Sequence, residues 1–269
     1  MTRLTPEQIA QGAQLLHTAF SERRQVPPLS ATYPDAGIED AYRIQQQFIE
    51  QRLAEGRRIR GYKVGLTSKV MQELLNYHEP DFSALLDNFF LPEAAELDMA
   101  QFLAPAIEIE IAFVMKDALR GPGVNTADVI RATDFVLPAI ELVDFRITEE
   151  GRRKESTIFD TVADLASCGA VILGGNPMDL RDIRIAEVRG TCIRNGEPAE
   201  SGVAKQVMGN PINAVAWLAN TLGEIGGVTF EPGHTILSGS FIRLVRVAAG
   251  DHFVARFDQG LGDVEIAFH

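Results

Sequence analysis

Two glutamates, Glu108 and Glu110, sit two residues apart in a segment that alternates strictly from Ala106 to Met115. On a β-strand that spacing sends both carboxylates off one face, about 6–7 Å apart. Such a pair suits two oxygen ligands of one hard cation. It equally suits a half-exposed strand whose polar face meets water. Glu141 bears on the choice, because it interrupts the otherwise apolar run Phe135–Val143. A carboxylate in such a run is expected to be buried, and a buried carboxylate needs a partner. That partner is either an arginine or a cation shared with Glu108 and Glu110. Three carboxylates without Cys or His nearby favour Mg²⁺ or Mn²⁺ over Zn²⁺.

Lys63 is the next candidate. It stands in an uncharged segment between Gly61 and Gly65, with Thr67 and Ser68 just after. The glycines allow a ligand to approach the backbone; the plain alternative is a lysine reaching from a strand edge to water. Asp81, in His78-Glu79-Pro80-Asp81-Phe82, reads locally as a turn residue, Asp160 as a turn or cap residue, and Arg243 as a solvated charge on a strand. The five histidines show no paired ligand spacing, and neither a nucleophile elbow nor a phosphate loop is present.

The elements that must position these groups follow from pattern. Thr5-Pro6-Glu7-Gln8 has capping-box spacing and opens a helix carrying Ile9, Ala13, Leu16 and Phe20. A Pro-rich link leads to a second helix, Ile38 to Ala54, followed by Gly56. Strands are expected at Arg60–Leu66, Ala106–Met115, Phe135–Val143, Ile185–Arg194, Thr235–Val247, His252–Phe257 and Gly260–Phe268. Asn195-Gly196 marks a hairpin into a strand from Glu197. Short helices are expected at Ser68–Tyr77, Thr126–Ala132 and Pro211–Leu222. The reading is an α+β chain, with a helical N-terminal segment over 1–60 and a β-rich catalytic domain over 61–269.

The net charge of −12 argues against nucleic acid and anionic membranes as partners, since both need a basic footprint. It also means that an acidic small molecule needs local positive charge, such as a metal ion with a lysine or arginine. Two cysteines, Cys168 and Cys192, read as buried thiols in a reducing compartment. The N-terminal residues lack a secretory apolar stretch and no run is long enough to span a bilayer, so the expectation is cytoplasmic.

Several stretches, in order, resemble the hydratases of meta-cleavage pathways within the fumarylacetoacetate hydrolase superfamily. They are Gly61–Ser68, Glu79–Phe82, Ile107–Val114, Leu137–Glu141, Phe159–Asp164, Ala214–Ala219 and Ser238–Phe241. Gly61–Ser68 and Leu119-Arg120-Gly121-Pro122 fit the branch that hydrates 2-oxohept-4-ene-1,7-dioate. The resemblance implies a mixed β-roll fold, homo-oligomers, and hydration of a 2-hydroxy-2,4-dienoate through its 2-oxo-3-enoate tautomer, in aromatic catabolism. It implies a divalent metal on Glu108, Glu110 and Glu141 and a substrate-contacting Lys63; in the mechanism these residues support, Asp81 is the expected general base on water, with Asp160 against the substrate. Arg243 is expected to clamp a distal carboxylate if the substrate is a dicarboxylate, because arginine favours bidentate pairing. Sister decarboxylases of 4-oxalocrotonate carry an aliphatic residue where Asp81 stands.

Four positions depart from the family pattern: Ser83 stands where the family usually has Gly, Leu165 where it has Asn, Asn210 where it has His, and Asp263 where it has Ser. The rival readings are a decarboxylase, a tautomerase or an acylpyruvate hydrolase on the same scaffold. A further rival is a non-catalytic partner complexed with a sister decarboxylase.

Overall fold

The structure, a computed structural model, describes residues 3–69, 72, 73, 76–148, 150 and 157–269. The opening helix runs Pro6–Glu22, and its capping box forms as expected: Thr5 Oγ1 accepts from the Gln8 amide, and Gln8 Oε1 from the Thr5 amide. A four-residue helix, Leu29–Thr32, occupies the link, and the next helix covers Ile38–Ala54. These helices bury Ile9, Ala13, Leu16 and Ala19 with Ala41, Ile44 and Phe48.

Among the described residues the strands form two sheets. In chain order they are β1 (Ile59–Gly65), β2 (Asp81–Leu86), β3 (Phe90–Leu91), β4 (Ala95–Leu97), β5 (Pro105–Met115), β6 (Thr133–Asp144) and β7 (Cys168–Leu173). Then come β8 (Arg189–Arg194), β9 (Glu197–Val203), β10 (Thr235–Leu237), β11 (Val245–Arg246), β12 (His252–Phe257) and β13 (Gly262–Phe268). The larger sheet has the order β2-β1-β10-β5-β6-β7-β3, with β11 also on β5; the smaller is β4-β13-β12-β8-β9. Pairings β1/β10, β3/β7 and β4/β13 are parallel and the others antiparallel, so the α+β, mixed-sheet expectation holds.

Local expectations miss in three places, each for a physical reason. The strand expected from Ile185 starts at Arg189, because Ile185–Glu187 closes a 3-10 turn. The strand expected over Thr235–Val247 is two short pieces, since the backbone leaves the sheet at Gly239, whose φ is 106°. The helix expected to stop at Leu222 continues from Pro211 to Gly226. Within it Gly223 packs on Gly121: an added Cβ would stand 2.5 Å from the Gly121 carbonyl oxygen. The Ser68–Tyr77 helix lies in part outside the described residues. At the Asn195-Gly196 hairpin both residues have positive φ (53° and 86°), as a two-residue loop with this twist requires.

The two faces of the larger sheet have different fates. Ile107, Ile109, Ile111, Phe113, Ile140 and Leu142 face a core shared with the smaller sheet and the Pro211–Gly226 helix. Ala112, Leu137, Ala139, Val171 and Leu237 face the N-terminal helices and Phe159, Val162 and Leu165. Helices therefore roof the face that carries Glu108, Glu110 and Glu141, where an exposed polar face was the plain alternative. No helix among the described residues is long and apolar enough to cross a membrane.

Candidate functional site

Strand register brings the acids together. Glu108 of β5 lies directly opposite Glu141 of β6, and Glu110 opposite Ala139, one diagonal step away. Each glutamate offers one carboxylate oxygen, and these oxygens lie within 4.8 Å of one another. Glu110 and Glu141 are buried, and Glu108 is partly open to solvent.

Lys63 enters from β1, aligned with Leu237 of β10, which is in turn aligned with Ala112 of β5. That places it on the same roofed face. Its Nζ stands 2.9 Å from Glu141 Oε1 and donates to the Ala166 carbonyl at 2.9 Å. Lys63 is 3% exposed, so the edge-to-water alternative fails, and the positive partner of Glu141 is this lysine rather than an arginine. Glu110 Oε2 accepts from the Gly239 amide at 2.7 Å, which accounts for the departure of the backbone there.

Asp81 opens β2, opposite Gly65, and is likewise buried rather than in a turn. Gly65 makes room for it: an added Cβ would stand 2.1 Å from Asp81 Oδ1. The other expected role for a flanking glycine changes too. Gly61 allows a close approach of protein backbone, not of a ligand, since a Cβ there would lie 1.8 Å from the Thr235 carbonyl oxygen.

The electrostatics follow from burying acids with one base. Burial pushes Asp81 up to about 6, against the pull of the Lys63 ammonium. Burial and then the Glu141 charge push Glu108 up to about 7 and hold Glu110 well above the usual carboxylate range. Burial opposes the charge on Lys63, but Glu141, Asp81 and Glu108 outweigh it and hold the ammonium above its ordinary value. Beyond the Lys63 ammonium on Oε1, the Glu141 carboxylate has no hydrogen-bond partner among the described residues, and Asp81 Oδ1 has none. Orphaned, buried, carboxylate-only donors in excess over positive charge fit a divalent, oxygen-seeking cation. A buried carboxylate is otherwise costly unless paired and hydrogen-bonded.

Two expected residues are not brought into this cluster. Asp160 is buried in the Thr157–Ala163 helix, where its carboxylate accepts from the Ser30 amide (3.0 Å) and the Ser30 hydroxyl (2.6 Å). It ties that helix to Leu29–Thr32. Arg243 lies between strands instead of on one; its side chain is 83% exposed and pairs with Glu200 of the smaller sheet at 3.3 Å. The sequence pattern misplaced it because the backbone turns out of the sheet before reaching it.

The four departures acquire local explanations. Ser83 is buried beside Lys63 in the β1/β2 register, and Leu165 packs in the core under the N-terminal helices. Asn210 caps the Pro211–Gly226 helix through the Ile212 amide at 3.0 Å, and Asp263 pairs with Arg256 on an exposed face.

Sequence reasoning missed the Ala166 carbonyl and the Gly239 amide, because main-chain groups leave no residue-type signal. It also missed Arg146, a buried arginine whose Nε pairs with the Asp164 carboxylate. Leu165, Ala166 and Ser167 all have positive φ, which costs an L-residue roughly 1–2 kcal/mol each. The Asn that the family pattern carries at position 165, a residue type that tolerates this conformation, was the available clue.

A sequence model described as fumarylacetoacetate (FAA) hydrolase C-terminal matches residues 70–268. The chain is 43% identical over 244 residues to a 2-oxo-hept-4-ene-1,7-dioate hydratase of Escherichia coli, covering 90% of this chain and 91% of that one. It is 42% identical over 260 residues to a 2-hydroxyhexa-2,4-dienoate hydratase of Comamonas testosteroni, covering 95% of each. Among solved structures it is similar to a 4-oxalocrotonate decarboxylase from Pseudomonas putida G7 complexed with magnesium and adipate. There the TM-score is 0.93 at 32% identity, with 100% of both chains covered.

Proposed function

The chain belongs to the fumarylacetoacetate hydrolase family, and on that footing we propose that it is a divalent-metal-dependent hydro-lyase of a meta-cleavage pathway. It adds water to a 2-hydroxy-2,4-dienoate, by way of the 2-oxo-3-enoate tautomer, to give a 4-hydroxy-2-oxo acid. The preferred substrate is the tautomer of 2-oxohept-4-ene-1,7-dioate. The observation that carries this reading is the buried cluster itself: three glutamate oxygens within 4.8 Å of one another, with Lys63 on one of them and Asp81 on the same face.

Glu108, Glu110 and Glu141 would hold the cation, Mg²⁺ or Mn²⁺ by donor type. Once bound, it would polarise the carboxylate and 2-oxygen of a 2-oxo acid. Three glutamates against a divalent ion leave one negative charge, which Lys63 offsets while donating to the 2-oxygen as electron density collects there. Asp81, raised to about 6, is half-ionised at mildly acidic pH and mostly ionised at neutrality. It takes a proton from the water whose oxygen bonds to C4, and returning that proton at C3 completes the addition and regenerates the Asp81 carboxylate. Asp160, bonded to Ser30, and the exposed Arg243, paired with Glu200, stand outside the cluster, and the substrate contacts proposed for them, a distal-carboxylate clamp by Arg243 among them, rest on the family resemblance.

Asp81 also favours hydration over decarboxylation, since loss of CO₂ from a polarised 2-oxo acid needs no base for water. The partners are a small-molecule substrate and further copies of the chain, and the place of action is the cytoplasm. The test is a panel of 2-hydroxydienoates of different tail length, with and without Mg²⁺ or Mn²⁺, following loss of the conjugated chromophore. A new hydroxyl at C4 supports the reading. Release of CO₂ without that hydroxyl assigns the scaffold to a decarboxylase instead.

A further inference from the structure

Leu165, Ala166 and Ser167 form a buried, three-residue left-handed run, with φ of 54°, 48° and 59° and no glycine among them. The Ala166 carbonyl, at its centre, accepts from Lys63 Nζ at 2.9 Å. Together with Glu141 Oε1, also at 2.9 Å, it holds the ammonium at two points. A run of this kind persists only where its surroundings over-determine it.

Arg146 supplies that constraint. Its Nη2 donates to the carbonyl before the run, Asp164 O at 3.0 Å, and to the carbonyl after it, Cys168 O at 2.8 Å. Its Nε pairs with the Asp164 carboxylate, and its own amide donates to Asp164 Oδ2 at 3.0 Å. The side chain is 1% exposed, so water does not compete for these bonds. A planar fork can bridge both ends of the run at once; a lysine ammonium on its flexible stem lacks that geometry.

We propose that Arg146 is a positioning residue: by gripping both ends of the left-handed run, it holds the Ala166 carbonyl where Lys63 stays aimed at Glu141 and the substrate oxygen. The consequence for catalysis rests on the hydratase reading, whereas the clamp on Lys63 does not.

The experiment compares the wild type with Arg146→Lys, Asp164→Asn and the double variant Arg146→Lys/Ala166→Gly. The first readout needs no substrate: acylation of Lys63 in the metal-free protein, followed by peptide mass, with exposed Lys116 and Lys205 as internal references. Lys63 is protected in the wild type. In Arg146→Lys its labelling rises by about tenfold or more relative to the references, as local opening predicts. Asp164→Asn, which keeps the guanidinium but loosens its anchor, shows a smaller rise and serves if Arg146→Lys fails to fold.

The second readout is turnover. In Arg146→Lys kcat falls about a hundredfold while KM holds, the cost expected of a misplaced group. Ala166→Gly recovers part of both readouts, because glycine adopts the left-handed conformation without a clamp. Unchanged Lys63 labelling in folded Arg146→Lys and Asp164→Asn overturns the proposal. So does a loss of kcat with Lys63 still protected and no recovery by glycine, which is the pattern of a merely structural arginine. Should the wild type not hydrate any dienoate, the labelling still decides the clamp by itself.

Discussion

Glu108 on β5 and Glu141 on β6 face each other directly across the strand pair, two acids of like charge under a roof of helices. Opposed like charges weaken a sheet, and burial raises the cost. The arrangement is stable when a proton or a cation stands between them.

Glu108→Gln removes one of the opposed charges. The metal-free variant is expected to unfold at a higher temperature than the wild type, by a few tenths to about 1 kcal/mol of stability. Added Mg²⁺ or Mn²⁺ should stabilise the wild type by about 2.7 kcal/mol at a hundredfold excess over Kd, and the variant much less. Thermal unfolding with and without the ion measures both. An undiminished metal shift in the variant rules out Glu108 as a ligand.

Protons and the cation compete for the same oxygens. Folded pKa values of about 6 for Asp81 and about 7 for Glu108 lie above the ordinary carboxylate value near 4 of the unfolded chain. Between those limits the folded state keeps protons that the unfolded state has lost. The stability these groups lend the metal-free protein is thus full below about pH 4 and drains away as pH rises to about 7. Metal affinity should tighten over the same window, with proton release on binding. Denaturant midpoints and calorimetric titrations at several pH values test both slopes; metal affinity that weakens towards pH 7 contradicts the carboxylate assignment.

Asp81→Asn keeps the shape and removes the base. Its kcat is expected to fall by roughly 10²–10⁴, with metal affinity little changed. In the wild type kcat/KM should rise with pH through about 6, as the Asp81 carboxyl loses its proton, and this limb should vanish in the variant. Normal turnover by Asp81→Asn removes it from the mechanism.

Gly65→Ala tests the same carboxylate from across the strand pair. The new methyl would stand 2.1 Å from Asp81 Oδ1, so the carboxylate must swing aside. A loss of about a hundredfold in kcat is expected for such a displacement, while the glutamate cluster keeps its cation. Full activity together with intact metal binding would mean that the position of Asp81 is immaterial.

Local chemistry was easy to read ahead of the fold. The Thr5 capping box, the Asn195-Gly196 loop and the alternation through Glu108 and Glu110 depend only on residues a few places apart. The Ser30 partner of Asp160 lies 130 residues away, beyond any local pattern, and Arg243 falls outside the expected strand because Gly239 turns the backbone out of the sheet ahead of it. The Ala166 carbonyl was invisible, since any residue can present one.

Sequence alone settled which side chains share a strand face, because the two-residue period is a property of the backbone, and that Glu141 must find a partner, because it sits among apolar neighbours. Tertiary structure decided the rest. Packing between distant segments set Glu108 opposite Glu141, brought Lys63 in from β1 as the counter-charge, and laid the N-terminal helices over all of them. Register and roofing arise from contacts between parts of the chain that are far apart, and no local pattern encodes which of those parts will meet.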